Sequence, residues 1–136
     1  MTAFSNIPAH AVLPLGAYDL DELRKAAARA DQRLLHANLG QSGSKADVLA
    51  ALAKAFSLPK HFGGNLDALY DCVTDLKPAP DADHPGFVVI LENVPECAGF
   101  GVDERNALLD VFRDAAEFYF DRETAFRVFY SVDRHK

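Results

Sequence analysis

The sequence predicts an α/β fold: a small three-stranded parallel sheet packed with helices, plus an N-terminal extension carrying one helix. Two observations lead there. The run Phe87–Leu91 (FVVIL) is apolar at every position, the pattern of a strand covered on both faces within a parallel sheet. Around it, stretches of helical and strand-like spacing follow the order helix, strand, helix, helix, strand, helix, strand. Strands separated by helices argue for parallel pairing through right-handed crossovers, with Phe87–Leu91 in the centre.

The elements follow in order. Residues 1–18 are punctuated by Pro8 and Pro14 and read as an irregular leader. Asp19 with Glu22 resembles a capping box, and Leu20, Leu23, Ala26, Ala27 and Ala30 carry helical spacing to about residue 31. Arg33–Leu39 is the first strand, stopped by Gly40. Ser44, with Asp47 three residues on, starts a helix whose buried stripe is Val48, Leu49, Leu52 and Phe56, and Pro59 lies beyond its end. Asn65 is a good N-cap for the next helix, after a tight entry through Gly63 and Gly64. Residues 77–86 are a loop by composition, as is the stretch from Asn93 to Gly101. Asp103 is expected to cap a long helix that buries Leu108, Val111, Phe112, Ala115 and Tyr119. Phe126–Val132 is the last strand. The extension is expected to span residues 1–31 and the main domain 32–136.

The chain has 136 residues, enough for one domain with a real core. Its net charge of -6 argues against nucleic-acid binding by a basic footprint and favours a positively charged partner. Cys72 and Cys97 show no metal-ligand or CxxC spacing and suit a reducing compartment. The N-terminus lacks the basic region of a signal peptide, and no stretch approaches the length of a membrane span. A cytoplasmic location without membrane contact is expected.

The most informative segment is LPKHFGGNLDALYDCVTDL, Leu58–Leu76. At about 100° per residue, Leu66, Leu69, Val73 and Leu76 converge on one helix face. Asp67, Asp71 and Asp75 centre on the opposite face. Like charges at this spacing repel by roughly 0.2–0.5 kcal/mol per pair, so the ridge does nothing for the helix itself. Polar residues opposite a core stripe are ordinary on a surface helix, and the helix dipole accounts for Asp67 in the first turn. Lys77 is placed to offset Asp75. Asp71, flanked on both sides by its own charge, is left without such an account.

This segment resembles the signature of the barstar family, the intracellular inhibitors of barnase-type ribonucleases. The matching elements are Leu58-Pro59, Phe62-Gly63 and the run from Asn65 through Thr74, with VILE (Val89–Glu92) and VFRDA (Val111–Ala115) downstream. The similarity runs from about Arg33 to Val132. It implies a barstar-like domain whose acidic helix mimics RNA phosphates and plugs the basic cleft of a ribonuclease. It also implies an immunity protein or antitoxin of bacterial type, without catalysis of its own. By the same resemblance Asp71 is the central anchor, Asp67 lies beside it and Asp114 adds a peripheral carboxylate. Tyr70 and Thr74 pack at the edge, and His61 takes the loop position that stacks on the enzyme's catalytic histidine. Asn65, Asp75 and Leu76 complete the expected contact surface. Against the family pattern His61 replaces a Tyr, Tyr70 and Leu76 replace Trp, Gly64 replaces Glu, and Asp114 is shorter than the usual Glu. These changes keep the phosphate-mimicking pair and remodel the rim.

The expected partner is therefore a basic, extracellular-type ribonuclease or a related toxin, the free protein being monomeric. A regulatory interaction module of the same fold, with a non-nuclease partner, is the alternative. Catalysis by the acids is disfavoured, because they lie on a solvated face without an evident pocket. A metal site built from His61, Asp67 and Asp71, with His84 nearby, matches no known ligand spacing. No cofactor is expected, and Gly99–Gly101 is too short for a dinucleotide fingerprint.

Overall fold

The computed structural model describes residues 7–16, 18–59, 64–78 and 85–134. The described elements run β1 (His10–Pro14), α1 (Leu20–Arg29), β2 (Arg33–Asn38), α2 (Lys45–Ala55), α3 (Leu66–Thr74), β3 (Gly86–Glu96), α4 (Val102–Phe120) and β4 (Ala125–Arg134). All strand pairs are parallel, in the order β1-β4-β3-β2. Leu35, Val89, Val128 and Val12 lie in register across the whole sheet.

The sheet thus has four strands, where the sequence reading expected three. The fourth comes from the segment read as an irregular leader. His10–Pro14 is short and bounded by prolines, which hides its strand character. At the sheet edge it pairs on one side only, so Pro14 at its end is tolerated.

Strand β3 is interior, as expected, with every residue from Phe87 to Leu91 fully buried. The reason is that both faces are covered. Phe87, Val89 and Leu91 point to the core shared with α2, α3 and α4. Val88 and Ile90, with Phe129 of β4, point the other way and pack on Leu23 and Ala27 of α1. The extension supplies this second layer.

β3 also runs to Glu96, through residues the sequence reading gave to a loop. A bulge between Leu91 and Val94 permits it: Asn93 takes φ 56°, and its N–H donates to Ser131 Oγ at 2.8 Å. A second correction concerns α4. Gly101, not Asp103, is its N-cap, and Glu104 reaches back to accept from the Gly101 N–H at 3.0 Å. The other helix starts are as expected. Asp19 accepts from the N–H groups of Asp21 and Glu22, and Ser44 from that of Asp47. The loop before α4 needs glycine at 99, since a Cβ there would lie 2.0 Å from the Gly43 carbonyl oxygen.

Tyr119, at the buried face of α4, joins the layers. Its ring stacks on Phe126 at 5.2 Å and tilts against Phe87 at 5.0 Å. Its hydroxyl donates to the carbonyls of Val73 and Leu76 at 2.7 and 2.8 Å, at the C-terminal end of α3.

Two predictions follow from this packing. Leu23→Ala should lower stability in urea titration by about 2–5 kcal/mol, the range for a buried leucine; a neutral result would mean that α1 is an appendage. Burial, and then the charge of Asp75, push the Tyr119 phenol up to about 12. Because its folded value lies above the ordinary value near 10, the stabilisation is complete below about pH 10 and is lost as pH rises towards 12. Tyr119→Phe should remove this alkaline loss and cost roughly 1–3 kcal/mol at neutral pH, as the α3 carbonyls lose their donor.

Candidate functional site: an acidic groove between two helices

Helix α3 is only nine residues long, so its position depends on what holds its ends. At the start, Gly64 adopts φ +70°, and Asn65 Oδ1 accepts from the Ala68 N–H at 2.8 Å. At the far end, the Tyr119 hydroxyl takes up the last carbonyls, and Arg33 Nη1 donates to the Lys77 carbonyl at 2.7 Å. Leu69 and Val73 are fully buried beneath, with Leu66 and Leu76 packed at the margin of the core. The rotational reading is confirmed: Asp67, Asp71 and Asp75 are all exposed on the opposite side.

Side by side, α3 and α4 enclose an open groove of about 640 Å³. Leu66, Asp67, Tyr70 and Asp71 line it from α3, and Val111, Asp114, Glu117 and Phe118 from α4, with Asp121 and Arg122 just past the α4 end. Among the described residues, five carboxylates thus line the groove with one guanidinium. Among the described residues none of the five forms an ion pair. The negative field registers on a neighbour: the Cys72 thiol is pushed up by partial burial and then by Asp71 and Asp75. Both cysteines are free thiols.

Of the residues singled out in the sequence, Asp67, Tyr70, Asp71 and Asp114 converge on the groove. Asn65 is spent on the N-cap. The Thr74 hydroxyl donates back to the Tyr70 carbonyl at 2.8 Å, inside its own helix. Asp75 is the exposed C-cap residue, and Leu76 is half-buried against the core. His61 lies outside the described residues, as does His84. Glu117 and Asp121 are groove residues that the sequence reading missed. Their signal was present, since they stand three and seven positions after Asp114 on one face of α4.

Chemically, the groove is suited to hold cations. Charge-assisted contacts to a partner's Arg or Lys would compensate carboxylates that have no ion-pair partner among the described residues. Among the described residues no group of three or more His, Cys, Asp or Glu side chains is arranged to hold a metal ion. No helix among them is long and apolar enough to cross a membrane.

A family model described as Barstar (barnase inhibitor) matches residues 32–131. No curated protein matches the chain. The matched span runs from β2 into β4, takes in both groove helices, and leaves out β1 and α1. With most of its length covered by that model, the chain belongs to the barstar family.

Proposed function

We propose that this protein is an intracellular immunity protein, an antitoxin of bacterial type, that binds and blocks the basic active site of a barnase-type ribonuclease. The observation that carries this reading is the convergence of Asp67, Asp71 and Asp114 from two helices on one groove, without internal counter-ions among the described residues. A ribonuclease cleft is built of Arg, Lys and His to receive phosphodiesters, and carboxylates held in place offer the same charges. Asp71, mid-helix and central in the groove, is the anchor; Asp67 and Asp114 flank it. Tyr70 supplies the aromatic wall. Thr74, Asp75 and Leu76 form the rim at the C-terminal end of α3 and Asn65 holds the other end; His61, outside the described residues, is a further contact by the family resemblance.

The direct test is inhibition of RNA cleavage by barnase and related basic ribonucleases. Asp71→Ala should weaken inhibition by about 30-fold or more, the cost of leaving a desolvated partner cation unpaired. Asp75→Ala, at the rim, should cost about fivefold or less. Equal losses would overturn the assignment of Asp71 as anchor.

Salt gives a second test. Raising ionic strength from about 0.05 to 0.5 M should slow association markedly and change dissociation little, because long-range attraction between exposed charges is screened beyond about 10 Å at 0.1 M. An association rate indifferent to salt would remove charge steering from the account.

A further inference from the structure

We propose that Arg122 selects the partner: the groove is bipolar, and it fits a ribonuclease that sets a carboxylate against Arg122 beside the cations facing Asp67, Asp71 and Asp114. This rests on the inhibitory reading above and specifies the enzyme surface it requires.

Arg122 is an exposed cation in a groove whose other charged lining residues, among the described residues, are all carboxylates. It nonetheless pairs with none of them. Its guanidinium lies 3.6 Å from the centre of the Phe118 ring, and Nη1 donates to the Phe118 carbonyl at 2.9 Å. Ring and carbonyl hold the guanidinium plane in place, so little freedom is left to lose on binding. One nitrogen is used on the carbonyl. The other N–H donors keep the fork geometry that suits a carboxylate.

Among the described residues the charge of the lining also changes sign across this residue. On one side of Arg122 lies the acidic groove. On its other side is a second cavity of about 690 Å³ at the amino ends of β3 and β4, where Arg122, the buried Arg127 and Glu123 are the charged residues among those described. A partner that docks along α4 from Asp114 to Arg122 therefore meets acid, then the Phe118 ring with the fixed Arg122 cation on it and Asp121 beside them. An enzyme surface that is basic throughout matches the first part and is repelled by Arg122. Such repulsion is a means of discriminating among related partners.

The opposing expectation is sharp, because Arg122→Glu makes the groove more acidic. If acidity alone governed binding, that variant would inhibit a basic ribonuclease better. Inhibition constants should be measured against a panel of purified barnase-type ribonucleases, for wild type, Arg122→Glu, Arg122→Gln and Arg122→Lys, with thermal melts to check that each variant is folded. For the ribonuclease that the wild type inhibits most tightly, Arg122→Glu and Arg122→Gln should weaken inhibition tenfold or more, and Arg122→Lys should weaken it less. Inhibition by Arg122→Glu as tight as wild type, or tighter, would overturn the role of Arg122 and leave the acidic-groove reading standing. Failure of the wild type to inhibit any member would overturn that reading, and this one with it.

Discussion

The hydroxyl of Tyr119 is the constraint on which the groove depends. A nine-residue helix has little stability of its own, and the carbonyls at its C-terminal end need donors once they are taken from water. Tyr119 supplies one from α4, while its ring packs over Phe87 of β3 and Phe126 of β4. The same side chain is therefore part of the sheet's core, of the wall of α4 and of the end of α3. It fixes how α3 lies beside α4, and so whether Asp67, Asp71 and Asp114 face one space. Arg33, reaching from β2 to the Lys77 carbonyl, extends this tether past the helix end. A groove fixed in this way presents its charges without a further ordering cost on binding.

Electrostatics and packing are divided between the two sides of α3. The apolar side is saturated, with Leu69 and Val73 without exposed surface. The acidic side is left uncompensated among the described residues, at a small cost in repulsion within the helix. That cost is borne by a fold whose central strand is covered on both faces, since β1 closes the edge of β4 and α1 covers the outer face of β3. These two elements lie outside the span matched by the barstar model, yet Leu23 and Ala27 of α1 are almost completely buried.

Much of this was legible in the sequence. The caps at Asp19, Ser44 and Asn65, the all-apolar β3 and the separation of core and acidic faces on α3 are local patterns, and local patterns survive folding. What escaped were features decided by partners distant in the chain. His10–Pro14 becomes a strand only because β4 offers it an edge. Asn93–Glu96 stays in the sheet only because Ser131 replaces a ladder bond at the bulge. Tyr119 was legible as a core residue, but not as the donor that ends α3, 46 residues earlier in the chain. For the site, Asp71 and Asp67 stood out by spacing and Asp114 by resemblance. Glu117 and Asp121 carried a signal in their spacing from Asp114, but only the packing of α4 against α3 makes them, with Phe118 and Arg122, the lining of one groove.

The central claim is that the groove occupies the place of RNA on a ribonuclease. Steady-state cleavage of RNA by barnase, followed at several fixed concentrations of this protein, tests it most directly. The account predicts purely competitive inhibition: apparent KM rises with inhibitor concentration and kcat stays constant. A fall in kcat at unchanged KM would place the protein elsewhere on the enzyme and contradict phosphate mimicry.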